Sequence, residues 1–195
     1  MWPARSAIRP VPVHAQVSRE AIDAAEGELS DRGDLEAQVH QGQRDMERQQ
    51  PHLARWLAGA LSGLRDETAV ALGQYLSVIC WRSFTEGFGQ RVGRVDEVSL
   101  ASVSATFECD EELRRGAADE LLESDDIVAI GQPHLVSFVR EQVEAALEPD
   151  EDGDAADVDL DAVSTVYRAV LVEILALGQC VSPPRGAVTL PKFLA

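Results

Sequence analysis

Two histidines, His52 and His134, hold the same place in two copies of the tetrapeptide Gln-Pro-His-Leu, 82 residues apart. Brought together across a core, they could ligate a transition metal or act as an acid and base, since imidazole binds metals when neutral and titrates near neutrality. Neither belongs to a His-x-x-x-His or Glu-x-x-His pattern, which would set a second ligand on the same helical face. Each follows a proline suited to the first position of a helix, and a helix start accounts for both. The glutamines Gln50 and Gln132 are expected to help satisfy the free backbone donors of those starts. No metal, cofactor or catalytic role is assigned to either histidine.

A second constellation lies in the acidic stretch before the last helix. With Glu148 as first position, Asp150, Asp152 and Gly153 fall third, fifth and sixth, and Asp159 falls twelfth, as in a calcium-binding loop. Oxygen ligands at alternate positions and a glycine at the sharp turn are what calcium needs. The first residue is not Asp, the twelfth is not Glu, and Ala155 stands where a large aliphatic residue should anchor the loop. The spacing therefore names Glu148, Asp150, Asp152 and Asp159 as calcium candidates without assigning them the role.

Nucleophiles are no better placed. Cys80 falls in an apolar helix and reads as core filling, while Cys109 is flanked by Glu108, Asp110 and Glu111, which would blunt a thiolate. With Cys180 the cysteines are three, odd in number and widely spaced, so a disulfide framework is not expected and a cytoplasmic setting is. Gly87-Phe88-Gly89 precedes no strand-to-helix unit that could cradle a phosphate.

Charge narrows the function classes further. The net charge is −17, and between Glu108 and Asp161 there are 19 acidic residues against only Arg114, Arg115 and Arg140. Such a field repels phosphate backbones and anionic lipid surfaces. No apolar run approaches the roughly 20 residues of a membrane span. Neither a nucleic-acid nor a membrane partner is expected.

The elements that must position these residues are helical. Ala, Leu and Val dominate and aromatics make up only 5%, which favours helices packed through aliphatic side chains. Residues 1–17, with Pro3, Pro10 and Pro12, read as an N-terminal tail. A single domain is expected over 18–181. Ser18 opens a first helix to about Leu29, and a polar helix spans about 35–49.

Leu53, Trp56, Leu57, Ala60, Leu61 and Leu64 then follow helical spacing on one face. Asp66 caps a helix from about Glu67 to Phe84 that is apolar nearly all round, ended by Gly87 and Gly89. At the offset of 82, Phe138, Val139, Val143 and Ala146 meet Trp56, Leu57, Leu61 and Leu64, and a second helix apolar nearly all round runs from about Leu160 to Val181.

The pattern predicts an all-α fold: a helical bundle of two related helix pairs, a pseudo-two-fold internal repeat over about 50–88 and 132–181, with extra N-terminal and linker helices. In the linker, Asp96 and Asp110 each read as the cap of a short segment, the first of which could also be a strand. Residues 182–195 read as a C-terminal tail able to pack through Leu190, Phe193 and Leu194.

With a complete core and no convergent polar site, the first expectation is a non-enzymatic interaction or scaffold protein with a protein partner, a second copy of the chain among the candidates. The alternative is a small-molecule- or metal-binding enzyme or sensor with a pocket between the helix pairs. Tyr75, Tyr167, His52 and His134 in one shared cavity would favour the alternative, and the same four on separate faces would favour the scaffold.

Overall fold

The computed structural model describes residues 6–30, 33–115, 122–148 and 158–184. Among them the chain forms eight α-helices and no β-strand, and no helix is long and apolar enough to cross a membrane.

Helix starts follow local capping chemistry. The Oγ of Ser18 accepts the Ala21 N–H at 3.4 Å at the start of α1 (Arg19–Ser30). Asp34 accepts the Ala37 N–H at 3.1 Å to open α2 (Leu35–Gln49). Pro51 and Pro133 occupy the first turns of α3 (Pro51–Leu61) and α7 (Pro133–Leu147), where a missing N–H leaves no helical bond unmade. Asp66 caps α4 (Glu67–Phe88) through the Ala69 N–H at 2.9 Å, and Asp159 caps α8 (Leu160–Gln179) through the Asp161 N–H at 2.9 Å. Asp96 receives the Ser99 N–H at 2.8 Å ahead of α5 (Glu97–Arg115), and the Glu123 N–H donates to Asp126 at 3.2 Å as α6 (Ser124–Gly131) begins.

The two most apolar helices, α4 and α8, lie side by side at the centre. The helices α1, α2 and α7 pack on α4, while α3, α5, α6 and α7 pack on α8. Leu76, Val78, Ile79 and Phe84 of α4 and Val166, Ile174 and Leu177 of α8 are wholly buried. Each such side chain contributes on the order of 1.5–3 kcal/mol relative to exposure. Close approach is built in at Gly42 of α2, where a Cβ would lie 2.4 Å from a Val78 methyl.

Four features depart from the sequence reading. First, α4 runs on through Gly87 to Phe88, and only Gly89, with φ of 54°, ends it. The linker is a second difference: α5 is one continuous helix, so Asp110 is interior to it rather than a cap, and no strand forms around Val98–Phe107. The reason is tertiary, since Leu100, Val103, Phe107 and Asp110 form one buried stripe.

Third, the segment expected as an N-terminal tail packs into the core from Ile8 onward, burying Ile8, Val11, Ala15 and Val17. Three prolines hide this from any periodicity, but apolar side chains in extended backbone still fill gaps between helix ends. Fourth, Gln50 and Gln132 do not cap their own helices. Gln50 donates to the Gly93 carbonyl and accepts the Val95 N–H, both at 2.9 Å. Gln132 donates to the Ala15 carbonyl at 2.6 Å and accepts the Val17 N–H at 2.9 Å. Each amide thus binds the extended chain just before a distant helix, α5 or α1. These backbone groups lie outside the α-helices, and in each case one buried side-chain amide bonds both a carbonyl and an N–H. At the other end of the chain, the Ser182 N–H donates to the Arg91 carbonyl at 2.8 Å. Leu190, Phe193 and Leu194 lie outside the described residues.

Candidate functional site

The four residues singled out by their positions do not converge. The half-exposed His52 lines a groove of about 470 Å³ between α3 and α5 with Arg55, Trp56 and Leu100. Its Nδ1 is buried without a partner. His134 is exposed at the start of α7, on the side of Glu20 of α1. The Tyr75 hydroxyl donates to Glu26 of α1 at 3.3 Å, and burial followed by that carboxylate pushes its pKa up. Tyr167 instead donates to Asp125 of α6 at 2.9 Å and accepts from Arg140 at 3.2 Å. Burial raises it to about 12, with Arg140 opposing and Asp125 reinforcing the shift.

Among the described residues no three His, Cys, Asp or Glu side chains converge as a metal site. Of the calcium candidates, Asp150 and Asp152 lie outside the described residues. Glu148 is exposed at the end of α7, and the Asp159 carboxylate is engaged in capping α8. The Asp159 N–H donates to Asp66 at 2.6 Å, so the caps of the two central helices are tied together.

The three basic residues of the acidic third behave unequally. Arg140 donates to Asp125 and Asp126 at 2.7 Å each, and these bonds raise its pKa. Arg114 holds Asp110 at 2.6 Å. Along with Arg115, Tyr167 and Arg168, Arg114 lines a cavity of about 720 Å³ between α5, α6 and α8, with Phe107 and Leu171 as apolar walls. Arg168 is bonded to Glu111 at 3.0 Å there and lies over the Phe107 ring.

Asp110 itself is a buried hub. Burial would raise its pKa, but hydrogen bonds from Arg114, Ser124, Ser6 and the Ala7 N–H hold it below its usual value. The N-terminal segment, α5 and α6 are pinned on that one carboxylate.

A different group stands at the seam of α4 and α8. Glu173 is 0% exposed, and neither carboxyl oxygen has a hydrogen-bond partner. Burial drives its pKa well above the ordinary 4.5 and so favours the protonated form. Ser77 of α4 lies close enough to temper that shift, yet its own Oγ makes no hydrogen bond of normal geometry. Trp81, one turn along α4, also has a buried and unpartnered Nε1. Cys80 is likewise fully buried, its thiol pushed well up by burial and then by Glu173. Several unsatisfied polar atoms on one seam are costly, at about 1–3 kcal/mol for each unmade bond.

Compared with known families, characterised proteins and solved structures, the chain matches none. The seam must therefore be understood from its own chemistry.

Glu173 carries a signal in the sequence that is not a motif. It is the sole charged residue from Ala169 to Cys180, in a helix otherwise apolar nearly all round. An acid in such a run must be buried on some face, because the helix has no polar face on which to put it. Ser77 and Trp81 carried no comparable mark.

Ser77 also connects the seam to the surface. It lines a groove of about 310 Å³ between α2, α3 and α4, whose walls include Met46, Leu57, Ala58, Leu61 and Val70. Glu47 is the one charged residue among the described residues that line it.

Proposed function

We propose that this chain is a non-enzymatic interaction protein whose acidic side, formed by α5, α6 and α7, docks a basic segment of another protein. The observation that carries this reading is the dispersal of His52, His134, Tyr75 and Tyr167 to separate places among the described residues, so these four form no shared acid–base site. The charge supports it. Arg114, Arg140 and Arg168 are engaged by carboxylates, while Glu112, Glu123, Glu141, Glu144 and Glu148 remain exposed. A surface of one sign steers an oppositely charged partner and repels a second copy of itself through the same face.

The test uses a labelled nona-arginine peptide as a basic probe, followed by fluorescence anisotropy at low salt. Reversal of Glu112, Glu144 and Glu148 to lysine is expected to weaken binding about tenfold or more. The same reversal at Glu36, Glu47 and Glu86, exposed on α2 and α4, should matter far less. Equal losses from both triple variants, or no binding to the unaltered protein, would reject the reading.

One observation favours a second reading, that of a small-molecule binder. The cavity between α5, α6 and α8 has the size of a ligand pocket and combines arginines with apolar walls.

A further inference from the structure

The outer sides of α3 and α5 form one surface. Val98, Ala101 and Ala105 recur at i, i+3 and i+7 on α5, which sets them on one helical face, and all three are exposed, Val98 to 80%. Beside them the groove between α3 and α5 encloses about 470 Å³, with the half-buried Trp56 on the α3 side and Ala101 and Ala105 on the α5 side. A large indole next to a depression left by small side chains gives a knob and a hole on the same surface. Exposed apolar residues gathered beside a groove mark an interaction surface, whereas scattered ones do not.

Charge selects what can cover this surface. The α3 edge carries Arg55 and the α5 edge carries Glu97 and Glu108, all exposed. Neither Arg55 nor Glu97 has a side-chain ion pair or hydrogen bond among the described residues, whereas Glu108 already meets Arg168 at 3.5 Å. A basic segment would be repelled along α3 and an acidic one along α5. The occupant must offer acid to α3 and base to α5, and the same surface turned about a two-fold axis along the groove does so. That rotation lays α3 of each copy over α5 of the other, so every charge pair and every knob-and-hole contact forms twice.

We propose that a second copy of this chain docks on the α3–α5 surface. In that dimer Trp56 of each copy packs on Val98, Ala101 and Ala105 of the other, and Arg55 of each faces the other's Glu97 and Glu108. The helix α3 has 11 residues, so the face it offers is about 16 Å long. A face that short belongs with small, reversible interfaces rather than with obligate ones. The core agrees, since α4 and α8 are already buried within one copy. The dimer does not rest on the docking of a basic segment, and sedimentation reads it without any peptide.

The measurement is sedimentation velocity of the full chain from about 5 to about 500 μM. Each copy carries −17, and salt at about 150 mM screens that long-range repulsion. Expected is a reversible monomer–dimer equilibrium with a Kd of about 10–100 μM. Val98→Gln removes apolar area and Ala101→Trp fills the groove. Both positions are exposed, and because each change acts twice in the dimer, each should weaken it about tenfold or more. Arg55→Glu alone, and Glu97→Arg combined with Glu108→Arg, should each leave a monomer, since like charges then face one another. Mixing these two variants should restore a dimer of one copy of each, because acid again meets base at both contacts. The proposal is overturned if the chain stays monomeric up to about 500 μM, if it dimerises but either Val98→Gln or Ala101→Trp leaves the Kd unchanged, or if the mixed charge variants fail to dimerise.

Discussion

Asp110 and Glu173 are both carboxylates buried to 0% exposure, yet they are opposites. Asp110 accepts from Ser6 at 2.9 Å, the Ala7 N–H at 2.8 Å, Arg114 at 2.6 Å and Ser124 at 2.9 Å. Glu173 accepts from nothing. The first is ionised, with the desolvation of its charge offset by a full set of donors, and it fastens three parts of the chain. The second is pushed toward its neutral form by burial, and it fastens nothing. Burial alone therefore says little about an acid in this fold, and the number of donors aimed at it decides its charge, its pH response and its use.

The sharpest way to break the comparison is to remove Asp110. Asp110→Ala removes the carboxylate that Arg114, the Ser124 hydroxyl and the Ala7 N–H share, and it is expected to lower unfolding free energy by about 3–5 kcal/mol in urea titrations. At the other acid the sign should reverse. Glu173→Met removes an unpaired carboxyl from an apolar seam and is expected to raise stability at pH 8 by about 1–3 kcal/mol. A loss there would mean that Glu173 is partnered after all.

The pH responses should separate likewise. Asp110 has a folded pKa below its usual 3.8, so it contributes stability that is present above that value and lost as pH falls through the folded pKa. Glu173 has a folded pKa well above 4.5, so the proton it keeps favours the folded state fully below 4.5, and that contribution is lost as pH rises toward the folded pKa. Unfolding measured across pH should therefore find Asp110→Asn flattening the acid limb below 3.8 and Glu173→Gln flattening the fall in stability as pH rises above 4.5. The smallest contrast is between two serines. Ser124→Ala deletes a bond to Asp110 and should cost about 1 kcal/mol, whereas Ser77→Ala deletes an unpartnered hydroxyl and should stay within about 0.5 kcal/mol of the parent or exceed it.

Much of the fold was legible because its signals are local. Pro51 and Pro133 open helices, and Asp66 and Asp96 cap others, because a cap needs only residues three positions apart. The central helices were legible from apolar residues on nearly every face. The sites were less so. Asp110 looked like a cap because it precedes a helical pattern, and nothing nearby reveals that Ser6 and Ser124 will reach it. Gln50 and Gln132 looked like helix-start residues, but their partners lie 43 to 45 and 115 to 117 residues away. Glu173 was visible as a lone acid in an apolar helix, although its lack of partners was not.

The sequence by itself determined that this chain is helical, where most helices begin, and that α4 and α8 must be central, because capping and periodicity act within a few residues. Only the tertiary structure decided what the buried acids are. Donors brought from the N-terminal segment and from α6 make Asp110 a structural anchor, whereas burial at the α4–α8 seam pushes Glu173 toward its neutral form. A carboxylate's state depends on the field and hydrogen bonds around it, and those are set by residues far away in sequence.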